Sequence, residues 1–183
     1  TINIGTNELY TTDTTAASGS IAVDTVANFE PGASGDKISI SIAAIEALGG
    51  VIDLVTSSAA SIATSTTTTI EDGGAAIDTI GSTAAVLHAM TSHDSAALTE
   101  AVVESDIIAG GNALTVTNAL TAGDAFLLLH DNGTDAGLFL VVALSAVSGA
   151  ITAGEVDVIK LLTLTGEGAI SASINAANIE FVS

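Results

Sequence analysis

The chain has 183 residues, 48% of them apolar, with four Phe and one Tyr as its aromatic residues; 21 Asp and Glu outweigh two Lys and no Arg, giving a formal net charge of −19. Nucleic-acid binders gain affinity from Lys and Arg that displace counterions, so this charge argues against nucleic acid and against anionic membrane surfaces. The absence of cysteine excludes disulfides, thiolate nucleophiles and Cys-ligated metals.

The first third of the chain predicts short strands and one helix. Residues 1–19 read as an alternating strand and a Thr, Ser and Gly spacer, followed by a second strand. In residues 41–50, Ser41 precedes apolar residues spaced by three and Gly49 follows them, which predicts a two-turn helix. Strand signals resume at residues 51–56.

The middle of the chain, residues 57–105, is predicted to be a Thr/Ser-rich and helical insertion. Residues 57–83 are dense in Ser, Thr and Gly, which predicts an exposed loop, an edge hairpin or an O-glycosylated stretch. In residues 83–105 apolar side chains recur at helical spacing in two groups. Because Asp94 or Ser95 can cap the second group, we expect two short helices.

From residue 113 onward the pattern predicts strands, because apolar runs of strand length alternate with Gly, Asn, Asp and Ser. The runs are 113–120, 124–131, 137–147, 155–166, 168–176 and 178–183. TAGD (121–124) and TAGE (152–155) each precede such a run and indicate reused turn chemistry. The sequence therefore predicts one mainly β domain over residues 1–183, a β-sandwich or β-roll-like layers with a few short helices.

No segment predicts a membrane span. The longest unbroken apolar run, residues 138–144, is far shorter than the roughly 20 residues of a transmembrane helix. No basic and apolar signal peptide opens the chain. Its start at Thr1, without an initiator Met, predicts a processed, truncated or partial chain.

The acidic excess predicts a bound cation. Carboxylates about 10 Å apart in water repel each other by roughly 0.4 kcal/mol per pair before salt screening. Ca²⁺ takes about six to eight oxygen ligands from Asp, Asn and backbone carbonyls, so it would relieve this repulsion. The alternative is a merely acidic surface that keeps the protein soluble.

A Gly-rich turn within residues 23–41 is the first candidate calcium site. Gly32 and Gly35 permit positive φ, and Phe29 can anchor the turn in the core.

We expect this backbone to bring Asp24, Asn28 and Asp36 around one Ca²⁺. The alternative is an ordinary turn in which Asn28 and Asp36 accept backbone hydrogen bonds.

This stretch resembles the segment that follows the calcium-binding repeats of RTX-type proteins exported by type I secretion, a group that includes some surface-layer proteins. The matching residues are Asp24, Val26, Asn28, Phe29, Gly32, Asp36, Lys37, Ile38, Ile40 and Ser41. Residues 112–183 are similar to the strands and C-terminal tail of these modules, whereas 57–105 have no counterpart. The Gly-Gly-x-Gly-x-Asp repeats are absent, and Ser39 stands where the family has a carboxylate. The resemblance implies secretion, an extracellular location and bound Ca²⁺.

A second candidate calcium site is HDNGTDAG, residues 130–137, where Asp131, Asn132 and Asp135 surround Gly133. The same residues are typical of a plain β-hairpin turn, which is the favoured interpretation.

The sequence does not predict an enzyme. His88 and His93 are five residues apart, which on one helix separates them by about 140°, unlike the His-Glu-x-x-His arrangement. Capping and solvation account for Asp94 and Glu100, and His130 is expected to be a solvent-exposed histidine at a strand end. Gly-x-Ser-x-Gly and a phosphate-binding Gly-Lys-Ser/Thr do not occur.

These features predict an acidic, Ca²⁺-stabilised extracellular structural protein, secreted or on the cell surface, that self-assembles as a homo-oligomer or polymer into a filament or surface layer. The strand in residues 1–10 would pair within its own sheet or add to a neighbour's sheet edge. The alternative function is the C-terminal secretion and calcium-binding module of a larger secreted hydrolase or adhesin.

Overall fold

The structure, a computed structural model, describes residues 2–4, 24–47, 52–56, 58–66, 68–73, 79–80, 84–94, 97–108, 113–166 and 173–183. The strands of these ranges are β1 (Ile2–Ile4), β2 (Asp24–Ala27), β3 (Ile38–Ser41), β4 (Asp53–Leu54), β5 (Ile70–Gly73), β6 (Thr79–Ile80), β7 (Leu87–Asp94), β8 (Thr115–Leu120), β9 (Asp124–Asp131), β10 (Ala136–Ala143), β11 (Val147–Ala150), β12 (Val156–Thr165) and β13 (Ile179–Val182). The helices are α1 (Ile42–Glu46) and α2 (Glu100–Ile107), and a 3₁₀ turn spans Ala176–Asn178.

The described strands form three sheets, one central and two beside it. The central sheet has the order β2-β12-β10-β9-β7-β5, with β4 also paired to β9. Beside it lie a parallel sheet, β1-β3-β13, and a mixed sheet, β11-β8-β6. Side chains of the central sheet share one hydrophobic cluster with β3, β13 and α1, and a second cluster with β8, β11 and α2. The prediction of a mainly β fold with layers and few short helices is confirmed.

The middle strands of the central sheet are buried on both faces. In β9, Leu127 and Leu129 point into the first cluster, whereas Phe126 and Leu128 point into the second. All eight residues of β10 are buried, and they divide between the clusters in the same alternating way. A strand that is covered on both faces has a continuous apolar sequence. For this reason the sequence predicted the strand at residues 124–131 with both of its ends correct.

A bulge in β12 changes which face its side chains meet. Leu138 pairs with Leu162 and the next residue, Phe139, pairs with Lys160, so Leu161 is the extra residue. Before the bulge Val158 belongs to the second cluster, and after it Leu162 belongs to the first, because one extra residue reverses the alternation. The bulge thereby leaves Lys160 on the side of the sheet that α2 covers.

Both helices begin at a hydroxyl cap. The Ser41 hydroxyl accepts a hydrogen bond from the Ala44 amide at 3.2 Å, which confirms the predicted helix start. Gly49, its predicted terminator, lies outside the described residues. α2 is capped by Thr99, whose hydroxyl accepts from the Val102 amide at 3.4 Å.

The first helix predicted within residues 83–105 is wrong, because Leu87–Asp94 is the strand β7. Residues 85–90 are all buried, and a run buried on both faces has no periodicity that separates strand from helix. The second predicted helix exists, but it starts after Thr99, and Asp94 ends a strand instead of capping a helix.

Two other predicted segments are corrected in part. Residues 57–83 contain β5, β6 and the buried Ile62, so they are more than an exposed loop. At the start of this segment an isolated antiparallel bridge joins Val55 to Ser61. A strand was predicted at residues 168–176. Its last residue, Ala176, begins a 3₁₀ turn, and residues 168–172 lie outside the described part of the chain.

The two similar tetrapeptides form the same turn, as predicted. The Asp124 carboxylate accepts the Thr121 amide at 2.7 Å, and the Glu155 carboxylate accepts the Thr152 amide at 2.7 Å. The glycine of each turn has positive φ, +97° in the first and +81° in the second. Within the described residues, no helix has the length and apolarity to cross a membrane.

Candidate functional site

The first acidic turn leaves β2 and is closed by its own backbone. The Asp36 amide donates to the Glu30 carbonyl at 2.7 Å, and the Glu30 amide donates to the Asp36 carboxylate at 3.1 Å. The Gly35 amide also donates to the Gly32 carbonyl at 2.9 Å. Asp36 thus does what the ordinary-turn alternative predicts: it accepts a backbone hydrogen bond.

A distant side chain, that of Asn178, completes this turn. Its Oδ1 accepts hydrogen bonds from the amides of Gly32 at 2.9 Å and Asn175 at 3.0 Å. Its Nδ2 donates to the carbonyls of Gly32 at 3.1 Å and Asp36 at 2.7 Å. Asn178 is 0% exposed, and these four bonds use both donors and both lone pairs of the amide group.

The anchoring residues of the turn behave largely as predicted. Phe29 is buried in the core, and Gly32 has a φ of +104°. Gly35 is needed for a different reason than positive φ, because a Cβ there would stand 1.9 Å from the Glu30 carbonyl oxygen. Asn28 itself has a left-handed φ of +57°.

The predicted grouping of Asp24, Asn28 and Asp36 around Ca²⁺ stays a prediction. Asp24 lies in β2, but its side chain lies outside the described part of the structure. Asn28 is exposed and Asp36 is half-buried. Within the described residues, no group of three or more His, Cys, Asp or Glu side chains is placed to hold a metal ion. This finding concerns neither Asn side chains nor backbone carbonyls, which are also calcium ligands.

The second acidic turn is the β-hairpin that joins β9 to β10, as the favoured interpretation predicted. Asn132 Oδ1 accepts the amides of Thr134 at 3.0 Å and Asp135 at 2.7 Å. The Asp131 carboxylate accepts the Gly133 amide at 3.2 Å, and Gly133 has a φ of +80°. The Asp135 carboxylate reaches the Gly166 amide at 2.8 Å. Each of the three predicted calcium ligands in this hairpin therefore accepts a hydrogen bond from at least one backbone amide.

Two of the histidines, His88 and His130, occupy the interior, which the sequence did not predict. His130 is 0% exposed in the central sheet, so the expected solvent-exposed strand-end histidine is wrong. Its Nε2 lies 3.0 Å from the Asp106 carboxylate on α2, and its Nδ1 lies 3.1 Å from the Asp131 carbonyl. His88 is also buried and meets Phe126 edge-on at 5.3 Å. The side chain of His93 lies outside the described residues.

Lys160 attaches α2 to the central sheet. Its ammonium donates to the Leu98 carbonyl just before the helix and lies 6.0 Å from the Phe139 ring centre. Its backbone amide donates to the Glu100 carboxylate at 2.9 Å. Burial lowers the pKa of Lys160, and Glu100 and Asp135 oppose that shift. Burial also raises the pKa of Glu104 on the same helix.

The parallel sheet beside the first turn has a polar row between two apolar rows. Ile38, Ser39 and Ile40 of β3 stand opposite Ile179, Glu180 and Phe181 of β13 in register. The buried Ser39 hydroxyl donates to the Glu180 carboxylate, which also lies 3.6 Å from the Lys37 ammonium. The Ser39 hydrogen bond, followed by the charge of Lys37, holds the pKa of Glu180 below its usual value. A carboxylate at position 39 would stand opposite Glu180, which gives a physical reason for the serine.

On the other side of β3 lies β1, also parallel, with Ile2 opposite Ile38, Asn3 opposite Ser39 and Ile4 opposite Ile40. The order β1-β3-β13 places the first and last described strands of the chain on either side of one inner strand.

Comparison of the chain with protein-family models, curated proteins and solved structures finds no match.

Proposed function

We propose that this chain is an extracellular structural protein that assembles with copies of itself into a filament or surface layer, and that Ca²⁺ stabilises the assembly. The proposal is supported by the sequences of the strands at its sheet edges, by its charge and by the resemblance of residues 20–41 to secreted calcium-binding modules.

The observation that carries the proposal is the sequence of the edge strands. The described sheets end at β1 and β13, at β2 and β5, and at β6 and β11. Soluble proteins commonly protect such edges with Lys or Pro, because an unpaired row of N–H and C=O groups accepts another strand. None of these six strands contains Lys, Arg or Pro. Of the two lysines, Lys160 lies in the inner strand β12 and Lys37 precedes the inner strand β3.

The charge explains why assembly would need a cation. Two copies that each carry a formal charge of −19 repel one another as they approach. Several edge strands carry carboxylates, including Glu180 in β13 and Glu71 and Asp72 in β5. Ca²⁺ shared between carboxylates would reduce this repulsion, whereas a monovalent salt would only screen it.

The two acidic turns supply suitable ligands for Ca²⁺. Asp36 and Asp135 each accept one backbone amide. A carboxylate has about four lone-pair sites on its two oxygens, so one amide bond leaves capacity for a cation. Hard carboxylate and amide oxygens in a Gly-rich turn are the donors that Ca²⁺ prefers. The proposed ligands are Asp24, Asn28 and Asp36 in one turn and Asp131, Asn132 and Asp135 in the other.

Electron microscopy and sedimentation of the purified chain, with Ca²⁺ and with chelator, test the proposal. We expect ordered assemblies in Ca²⁺ that dissociate in chelator, and a melting temperature that rises with Ca²⁺ concentration. Asp36→Asn and Asp135→Asn should weaken the calcium response. Asp124→Asn is the matched control, because its carboxylate also holds a turn amide but is not a proposed ligand. A monodisperse monomer at high concentration in Ca²⁺ would overturn the proposal.

A further inference from the structure

The strand β1 pairs with β3 at one edge of the parallel sheet. It has three residues, each with one register partner in β3, and among the described strands β3 is the one that it pairs with. Three residues of backbone pairing make a short attachment, and short segments open at a lower free energy than the long strands of a core. Only a short row of backbone hydrogen bonds therefore has to break for β1 to leave β3.

The edge that β1 covers has to remain covered. Ile38, Ser39 and Ile40 of β3 are 0%, 3% and 0% exposed. If β1 departs, one row of β3 backbone groups loses its partners, and buried polar groups without partners are costly. The sequence of β1 matches this edge residue by residue, Ile-Asn-Ile against Ile-Ser-Ile. A second copy of β1 supplies the same match.

The connection to β2 is long enough for β1 to reach a neighbour. Residues 5–23 separate the two strands, and a chain of that length spans at most about 60 Å when extended. A compact domain of this size is about 40 Å across, from its expected radius of gyration. Exchange of the strand needs no new contact, because the same backbone hydrogen bonds form within one copy or between two.

We propose that in the assembled protein β1 of one copy pairs with β3 of the next, so that exchange of the N-terminal strand is the joint between copies. This rests on the proposed self-assembly and names its interface. In dilute solution the tether favours pairing within one copy, because it holds β1 near its own β3 at a millimolar effective concentration. Where copies are concentrated, pairing between copies competes, and repeated head-to-tail exchange produces an open chain of subunits.

The chain contains no cysteine, so an engineered disulfide can detect pairing of β1 with β3 of another copy without competing native disulfides. Asn3→Cys and Ser39→Cys place thiols at register partners on adjacent strands, which are about 4.8 Å apart and within disulfide range. The two single variants are mixed after unfolding and refolding together, assembled in Ca²⁺, oxidised and run on a non-reducing gel. A mass tag on one variant identifies the mixed dimer. The matched control replaces Ser39→Cys with Thr117→Cys, an exposed residue of β8.

We expect a mixed disulfide dimer at a yield on the order of tenfold above the Thr117→Cys control, because paired strands hold the thiols at high effective concentration. The double variant should give a ladder of covalent oligomers. Strand exchange is overturned if the double variant forms its disulfide only within single chains and if the two single variants give no more mixed dimer than the Thr117→Cys control. If microscopy of the wild type still shows assemblies, that result leaves the proposed function standing. Mixed dimers without any extended assembly would support the exchange and overturn the filament or surface layer.

Discussion

The two acidic turns look alike in sequence and are built in different ways. Residues 28–36 and 131–136 each combine Gly with Asp and Asn, and each is a candidate calcium site from the sequence, although a plain hairpin was the favoured interpretation of the second. The hairpin is closed by side chains that bond amides within three residues, through Asn132 and Asp131. The first turn has local bonds as well, but it is completed by Asn178, which bonds Asp36 from 142 residues away.

This difference decides what each turn depends on. The hairpin can form as soon as β9 and β10 meet, because the bonds of Asp131 and Asn132 are local; the bond from Asp135 to the Gly166 amide, 31 residues away, forms with β12. The first turn reaches its final geometry only after the 3₁₀ turn that carries Asn178 has docked beside β3. Its integrity therefore reports the packing of the C-terminal strand, and the hairpin serves as an internal control.

The largest effect should come from Asn178→Ala. The substitution removes four hydrogen bonds at a buried position and orphans the Gly32 amide and the Asp36 carbonyl. We expect the free energy of unfolding to fall by about 3 kcal/mol, since each buried group left unpaired costs roughly 1 to 3 kcal/mol. Urea denaturation measures the loss, and hydrogen exchange at the Gly32 amide should accelerate. A loss no larger than that of Asn132→Ala would show that the distant bond does not hold the turn.

Gly35→Ala should have the second largest effect. Its Cβ would stand 1.9 Å from the Glu30 carbonyl oxygen, so the backbone of the turn must shift. We expect a loss of about 2 kcal/mol, as for overpacking elsewhere in proteins. Gly133→Ala in the hairpin is the matched control: its φ is +80° but no atom lies within 4 Å of the new Cβ, which predicts about 1 kcal/mol. Equal losses in the two variants would contradict the assigned close approach.

Much of the fold was accessible from sequence because apolar runs in a layered β protein are long and bounded by turn residues. Residues 124–131 and the helix cap at Ser41 were predicted correctly for this reason. The strand β7 was not, because burial on both faces erases the periodicity that distinguishes strand from helix. The burial of His130 was not predicted either. It follows from the inner position of β9 in the sheet, which the neighbouring residues in the sequence do not reveal.

The candidate turns were located from sequence, but their partners were not. Local composition indicated Gly32, Phe29 and the hairpin around Gly133. The role of Asn178 had only a faint signal, the Asn-Ala-Ala-Asn spacing of its capping box with Asn175. A capping motif does not reveal that the same amide also bonds a turn near the other end of the chain. Such long-range pairing depends on strand order, which single-sequence patterns do not encode.

A smaller effect is expected from Asn132→Ala in the hairpin. The side chain accepts two amides, of which the Thr134 amide belongs to an exposed residue that water can reach after the substitution. We expect a loss of about 1 kcal/mol in urea denaturation, the net value of an accessible hydrogen bond. The amide of Gly32 should keep its exchange rate, because the two turns share no partner. Faster exchange at Gly32 would show that they are coupled.

The smallest effect concerns Glu180 of β13, which lies two residues after Asn178. Its pKa is lowered by the Ser39 hydrogen bond and then by Lys37, so its contribution to stability is present above the unfolded value of about 4.3 and is lost as the pH falls through the lower folded pKa. Between pH 4 and pH 2 the Gly32 amide should lose exchange protection before the hairpin amides do. Ser39→Ala should raise the carboxylate titration midpoint of Glu180 measured by NMR and move this loss to higher pH. An unchanged midpoint in that variant would mean that Lys37 alone sets the pKa, and the link between β3 and the C-terminal strand would then rest on backbone pairing and Asn178.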